Sequence, residues 1–172
     1  MAIRKIITPP DPLLKKPSML VAKVDDSIRE LVRDMFDTMY DAPGIGLAAV
    51  QVGVPLSVVV MDTAGEGEEP RPLALINPEV VWTSDEQREY EEGCLSVPEI
   101  YDTVVRPAEV RVRYLDLDGR EQERTFSGMD ATCVQHEIDH TKGILFIDHL
   151  GRLKRERYLK KVIKKAKQAQ EA

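Results

Sequence analysis

The stretch "CVQHEIDHTKGILF", Cys133 to Phe146, decides how the chain is read. Its segment begins near Ser127, with Asp130 three residues on in the manner of a capping box, and stops at Gly143 after Lys142. These are helix start and stop signals. On a helix each residue turns roughly 100°, so His136 and His140 stand about 40° apart and one turn along. Both imidazoles can then reach one ion. Glu137 projects to the side, placed to act on a metal-bound water rather than to be a ligand. H-E-x-x-H on a helix is a pattern of metal-assisted hydrolysis, with Glu137 as candidate general base and acid. The competing reading is a surface helix with two spare histidines.

Such a site needs a third protein ligand. One common form of the motif places a histidine six residues after the second, and Phe146 stands there, which excludes that form. Glu156 lies amid Lys154, Arg155 and Arg157 and reads better as an ion-pair partner. His149 follows a β-like segment and would have to swing back. Cys133 shares the helix face of the histidines, but it is about 10 Å from His140 along the axis, too far for one ion. Cys94, in "EEGCLSVPE", comes from another element, after a glycine that allows close backbone approach. A sulfur and two imidazoles with a fourth place left for water is the catalytic zinc-type pattern, so Cys94 is preferred.

Outward from this helix, Ile28, Leu31, Val32, Met35, Phe36, Met39 and Tyr40 follow the i, i+3, i+4, i+7 spacing of an amphipathic helix. Asp25, Asp26 and Ser27 offer its N-cap and "DAPG" ends it. "PLSVVVMD" is a short β-branched run, a buried strand. "LALINPEVVWTS", "REYEE", "YDTVVRP", "EVRVRYLDLDG" and "REQERTFS" read as further strands, with "DLDGR" as a hairpin turn. A last helix carries Leu153, Leu159, Val162 and Ile163 on one side. Strands do not alternate with helices, so the expected class is α+β.

The 172 residues suit one domain of ordinary soluble composition. No signal or spanning segment is visible, so the cytoplasm is expected, with the two cysteines as thiols or ligands. Neither a membrane nor a DNA partner is expected. Net charge is −6, yet residues 150–172 hold nine Lys/Arg against two Asp/Glu, and the rest holds 15 against 28. The basic tail is either a solvated helix face or a contact for a polyanion.

Together, "GIGLAAVQ" (Gly44–Gln51), "EGCLS" (Glu92–Ser96) and "QHEIDH" (Gln135–His140) resemble the three signature motifs of peptide deformylases. They come in that family's order and spacing, and the likeness covers nearly the whole chain, with a final helix similar to the bacterial type I form. The resemblance implies one catalytic domain over residues 1–172. In it, mostly antiparallel β-sheets would pack around a central metal-binding helix, with an N-terminal helix and a basic C-terminal helix at about 150–168. It implies Cys94, His136 and His140 as ligands of Fe2+ in the cell, with Zn2+, Ni2+ or Co2+ as substitutes, and Glu137 as acid/base. It implies that the Gln51 side chain and the Leu95 backbone N–H stabilise the oxyanion as the formyl carbon is attacked. Products would be formate and a peptide with a free N-terminal methionine.

In "GIGLAAVQ" a helix precedes and a strand follows, the reverse of a nucleotide loop. An extended, side-chain-poor segment that pairs with a bound peptide fits better, a role the family gives to backbone around Gly44, Ile45 and Gly46. Gly93 is a further candidate substrate contact. On periodicity Met129 and Cys133 could be ordinary core; the resemblance makes them walls of a methionine pocket. Glu92 and Arg106 are a candidate ion pair behind the Cys94 loop. Tyr101 occupies a loop position where some family members carry arginine. The resemblance also implies formyl-methionyl nascent chains as substrate. It further implies docking near the ribosomal exit through Lys154, Arg155, Arg157, Lys160, Lys161, Lys164 and Lys165, a salt-sensitive contact.

Overall fold

The computed structural model describes residues 2–171. Helix α1 (Asp26–Asp41) is followed by a three-residue strand β1 (Gly46–Ala48), a 3-10 turn (Ala49–Val52) and β2 (Val58–Met61). Then come β3 (Leu73–Thr83), β4 (Gln87–Cys94), β5 (Val97–Pro107), β6 (Glu109–Leu115) and β7 (Glu121–Ser127). The chain ends in α2 (Gly128–Thr141), a 3-10 turn (Phe146–His149) and α3 (Arg152–Glu171). Every strand pairing is antiparallel. One sheet has the order β1-β2-β3-β6-β7 and the other is the β4–β5 hairpin. This is the α+β arrangement the element order implies.

Strand β2 shows how the layers assemble. Its residues point alternately to opposite faces, as any strand's do. Val58 and Val60 meet Ile28, Leu31, Val32, Met35 and Met39 of α1. Val59 and Met61 meet Ala131, Cys133, Val134 and Ile138 of α2. The apolar run "VVVM" is therefore buried on both faces, while β6 alternates buried Val110, Val112 and Tyr114 with exposed neighbours. Helix α2 lies between the large sheet and the rest of the molecule, which explains why it is polar in sequence yet almost wholly buried. A third core joins Val97, Ile100 and Val104 of β5 to Leu145, Phe146 and Ile147 at the 3-10 turn and to Val162 of α3.

Two local expectations fail. Ser127 sits at the N-cap of α2, but its side chain makes no cap hydrogen bond. Asp130 instead accepts the hydroxyl of Thr63 from the polar loop after β2, so a tertiary contact displaces the capping box. Tyr101 lies within β5 rather than on a loop. Among the described residues, no helix is long and apolar enough to cross a membrane.

Gly143 closes α2 with φ +77, and a Cβ there would stand 2.5 Å from the Lys15 carbonyl oxygen. Left-handed backbone and close approach to another main chain both demand glycine. Gly143→Ala is expected to lower stability by about 2 kcal/mol or more, read as a lower urea midpoint at unchanged slope.

Candidate active site

The site forms where the β4–β5 hairpin meets α2. Strand β4 ends at Cys94, which pairs with Val97 after a register shift between Gly93 and Cys94. His136 and His140 stand one turn apart on α2, their ring centroids 5.1 Å apart. One ligand atom from each of Cys94, His136 and His140 lies within 4.8 Å of the others, the only such group of three found among the described residues. Cys94 Sγ is 3.4 Å from His140 Nε2. A sulfur and two imidazole nitrogens converging in this way fit one divalent transition-metal ion.

The alternatives for the third ligand find other employment. Phe146 is buried and its ring lies 5.9 Å from that of His136, near parallel, so the position of the absent histidine is a packing surface. His149 contacts Asp139 Oδ2 at 2.8 Å on the protein surface. Glu156 pairs with Arg152 on α3. Cys133 is buried with its sulfur 3.5 Å from the Ile45 carbonyl oxygen, outside the ligand cluster.

Behind the cluster lies a buried polar chain. Glu92 Oε1 meets His136 Nδ1 at 2.9 Å, leaving Nε2 as the free ring nitrogen. Arg106 donates to both Glu92 oxygens, at 2.7 and 3.0 Å, and to Asp139 Oδ2 at 2.8 Å. Burial alone would raise the Glu92 carboxyl, but the hydrogen bonds from His136 and Arg106 outweigh it and hold the group below its ordinary range. The Glu92–Arg106 pair anticipated from sequence is thus present and extends to a metal-cluster histidine. Asp139, unremarked in sequence, is part of it; its place three residues after His136 was the available signal.

Glu137 is buried beside the cluster, and its Oε1 has no hydrogen-bond partner among the described residues. Burial pushes its carboxyl up to about 7, against the charge of His136. A Cβ on Gly46 would stand 2.5 Å from Glu137 Oε2 and 2.9 Å from Cys133 Sγ, so β1 passes over α2 only because that residue has no side chain. The Ala48 N–H donates to Gln51 Oε1 at 2.9 Å. That contact fixes the amide orientation and turns Nε2 toward Ser96 Oγ, 3.0 Å away, and Cys94 Sγ, 3.5 Å away. "GIGLAAVQ" is therefore extended only through Ala48; the 3-10 turn after it exists to bury Gln51.

Gln51, Cys94, His136 and Glu137 line a cavity of about 750 Å3. Gly44, Ile45, Gly46, Gly93, Leu95, Met129 and Cys133 all contribute to its lining. Leu95 lies on the short turn between β4 and β5, its side chain against Gly44. Met129 is half-exposed on the first turn of α2, and the Tyr101 ring covers Gly93 at the mouth. Strand β1 is terminal in its sheet, so one edge is open on this side.

A family model described as polypeptide deformylase matches residues 3–156. A peptide deformylase of Phenylobacterium zucineum is 59% identical over 169 residues, covering 98% of this chain and all of the relative. One from Hyphomonas neptunium is 58% identical, covering 97% and 95%. The crystal structure of peptide deformylase from Ehrlichia chaffeensis superposes with a TM-score of 0.93 at 43% identity, covering 98% of this chain and 99% of that one. Fold, cluster and cavity are those of a metal-dependent hydrolase. The chain belongs to the peptide deformylase family. It removes the N-formyl group from the N-terminal formyl-methionine of newly made polypeptides, releasing formate.

Removing one member of a buried ion pair leaves the other uncompensated, typically a loss of about 3–5 kcal/mol. Arg106→Ala is expected to destabilise by that amount in urea and to bind metal about 10–100-fold more weakly. Native unfolding and native metal content in the variant would contradict this role.

Proposed function

We propose that Cys94, His136 and His140 hold one divalent ion, and that deformylation occurs in the cavity above it. The observation that carries this reading is that the three ligand atoms converge, His140 from the buried side, beside a cavity lined by Cys94, His136, Glu137 and Gln51. When bound, the ion supplies Lewis-acid polarisation and lowers the pKa of water. Glu137 takes a proton from the attacking water and delivers it to the departing amine, a task suited to a buried carboxyl with an oxygen free of hydrogen bonds. Gln51 Nε2 and the Leu95 backbone N–H donate to the oxygen that gains negative charge at the formyl carbon. Gln51 offers an N–H without competing as a ligand, and its own oxygen is already occupied by Ala48. The open edge of β1 and the backbone from Gly44 to Gly46 pair with the peptide, with Gly93 on the opposite wall. The methionine side chain enters between Met129 and Cys133. Donor chemistry admits several ions; Fe2+ is our assignment for the cell, with Zn2+, Ni2+ and Co2+ as substitutes.

We read residues 1–172 as one catalytic domain working in the cytoplasm, where nascent formylated chains are made. Cys94 and Cys133 are both free, consistent with that compartment. Helix α3 has two faces. Tyr158, Leu159 and Val162 pack on the third core. Arg157, Lys160, Lys161, Lys164 and Lys167 lie within roughly 120° of the opposite side, at about 100° per residue. Among the described residues none of these five has an ion-pair partner, whereas Lys154 and Lys165 pair with Asp102 and Glu99. The free stripe fits phosphate groups of ribosomal RNA. Removing α3 would uncover the core beneath Val162, so reversing charge is the cleaner test.

Glu137→Ala is expected to keep its metal and lose about 10²-fold or more of formate release from formyl-Met-Ala-Ser, assayed anaerobically beside a peptide-bond cleavage assay that stays blank. A structural metal site would leave the variant indistinguishable from native. Glutamate at positions 157, 160, 161 and 164 is expected to weaken ribosome binding and flatten its salt dependence while tripeptide turnover stays native. Equal ribosome affinity would remove α3 from the docking surface.

A further inference from the structure

The amphipathic stripe of α1 contains two buried polar residues, Asp34 and Thr38, one turn apart. Both are engaged by the segment that precedes the first helical turns. Asp34 Oδ1 accepts the Ala2 backbone N–H at 3.0 Å, and Asp34 Oδ2 accepts Arg4 Nε and Nη2 at 3.0 and 2.8 Å. Thr38 Oγ1 accepts the Arg4 backbone N–H at 2.8 Å while donating to the Asp34 carbonyl. Residues 2–4 are thereby clamped along α1. Three residues on, the Ile7 N–H donates to the Gln51 carbonyl at 2.7 Å, and Ile6 lines the active-site cavity.

The Gln51 turn is short and has few bonds of its own. The carbonyls of Ala49 and Val50 are taken by the N–H groups of Val54 and Gly53, but that of Gln51 reaches outside the turn, to Ile7. The side-chain end of Gln51 is held by Ala48 and Ser96. Its main-chain carbonyl is held by the Ile7 N–H.

We infer that residues 2–7 form a positioning strap, anchored by Arg4 on Asp34, which holds Gln51 where its amide can donate to the developing oxyanion. This rests on the oxyanion role proposed above for Gln51. Neither Arg4 nor Asp34 lines the cavity or belongs to the Cys94–His136–His140 cluster; they act through the Ile7 N–H. An oxyanion donor works in the transition state, so displacing it lowers kcat and leaves KM little changed. A small displacement of a reacting or stabilising group is enough for a large rate loss.

The test is a double-mutant cycle on the metal-loaded full chain, with formyl-Met-Ala-Ser as substrate. Arg4→Ala is expected to lower kcat about tenfold, with KM within about twofold and metal content native. Arg4→Lys, which restores one charged bond to Asp34, should recover part of the loss. Gln51→Ala should be slower still, by about 10²-fold, and adding Arg4→Ala to it should change nothing more. If Arg4→Ala fails to fold, Asp34→Asn takes its place in the cycle. Native kcat in the strap variant beside a slow Gln51→Ala enzyme would overturn the strap alone, as would equal losses in both backgrounds. Native kcat in Gln51→Ala would overturn the oxyanion assignment, and the strap's role with it.

Discussion

The Glu92 carboxylate is the point on which the site depends. It sits in the protein interior on β4 and binds a histidine of α2 with one oxygen and an arginine of β5 with both. A buried carboxylate is unfavourable unless its lone pairs are satisfied by charged or polar donors. Satisfying them forces the hairpin and the helix into one relative placement. Cys94 lies two residues after Glu92, so the same contact that neutralises the carboxylate delivers the sulfur to the histidines. Asp139 extends the tie by holding the far side of Arg106 to α2. The ring of His136 is then fixed on one nitrogen by Glu92 and on one face by Phe146. Its remaining nitrogen has little freedom left, which preorganises the proposed ligand set.

The second constraint is steric. The cavity exists because three backbone stretches approach it without side chains. Gly46 lets β1 lie against Glu137 and Cys133, Gly44 clears the Leu95 side chain, and Gly93 accepts the Tyr101 ring. A methyl group at any of them would meet neighbouring atoms at 2.5 to 2.7 Å. The result is a terminal strand, preceded by the cavity-lining Gly44 and Ile45, beside the buried cluster, an arrangement suited to a substrate that is itself an extended backbone.

Much of the scaffold was legible along the chain because it is periodic. The α1 stripe, the alternation in β6 and the doubly buried run of β2 follow from 3.6- and 2-residue periods. What periodicity hides is a polar residue on an apolar face. Asp34 and Thr38 sit in the α1 stripe, and their partners Ala2 and Arg4 are some thirty residues away. Asp130 looked like a cap because local spacing is all a motif records, whereas Thr63 reaches it from a distant loop. The turn in "AVQV" was equally hidden, since it is set by Gln51 bonding back to Ala48 and across to Ser96.

The sequence by itself determined the chemistry on offer. Two histidines and a glutamate at helical spacing offer two nitrogens and a carboxyl, and the spacing of a helix is a local property that needs no fold to be read. It also eliminated the nearby third ligands, since Phe146 has no donor and Cys133 lies too far along the axis. Only the tertiary structure decided that Cys94 meets those histidines, that Gln51 turns its nitrogen rather than its oxygen toward Cys94 and Ser96, and that the distant Ile7 bonds its carbonyl. Those are contacts between elements, fixed by pairing buried polar groups and by backbone approach at glycines. Neither leaves a period in the chain.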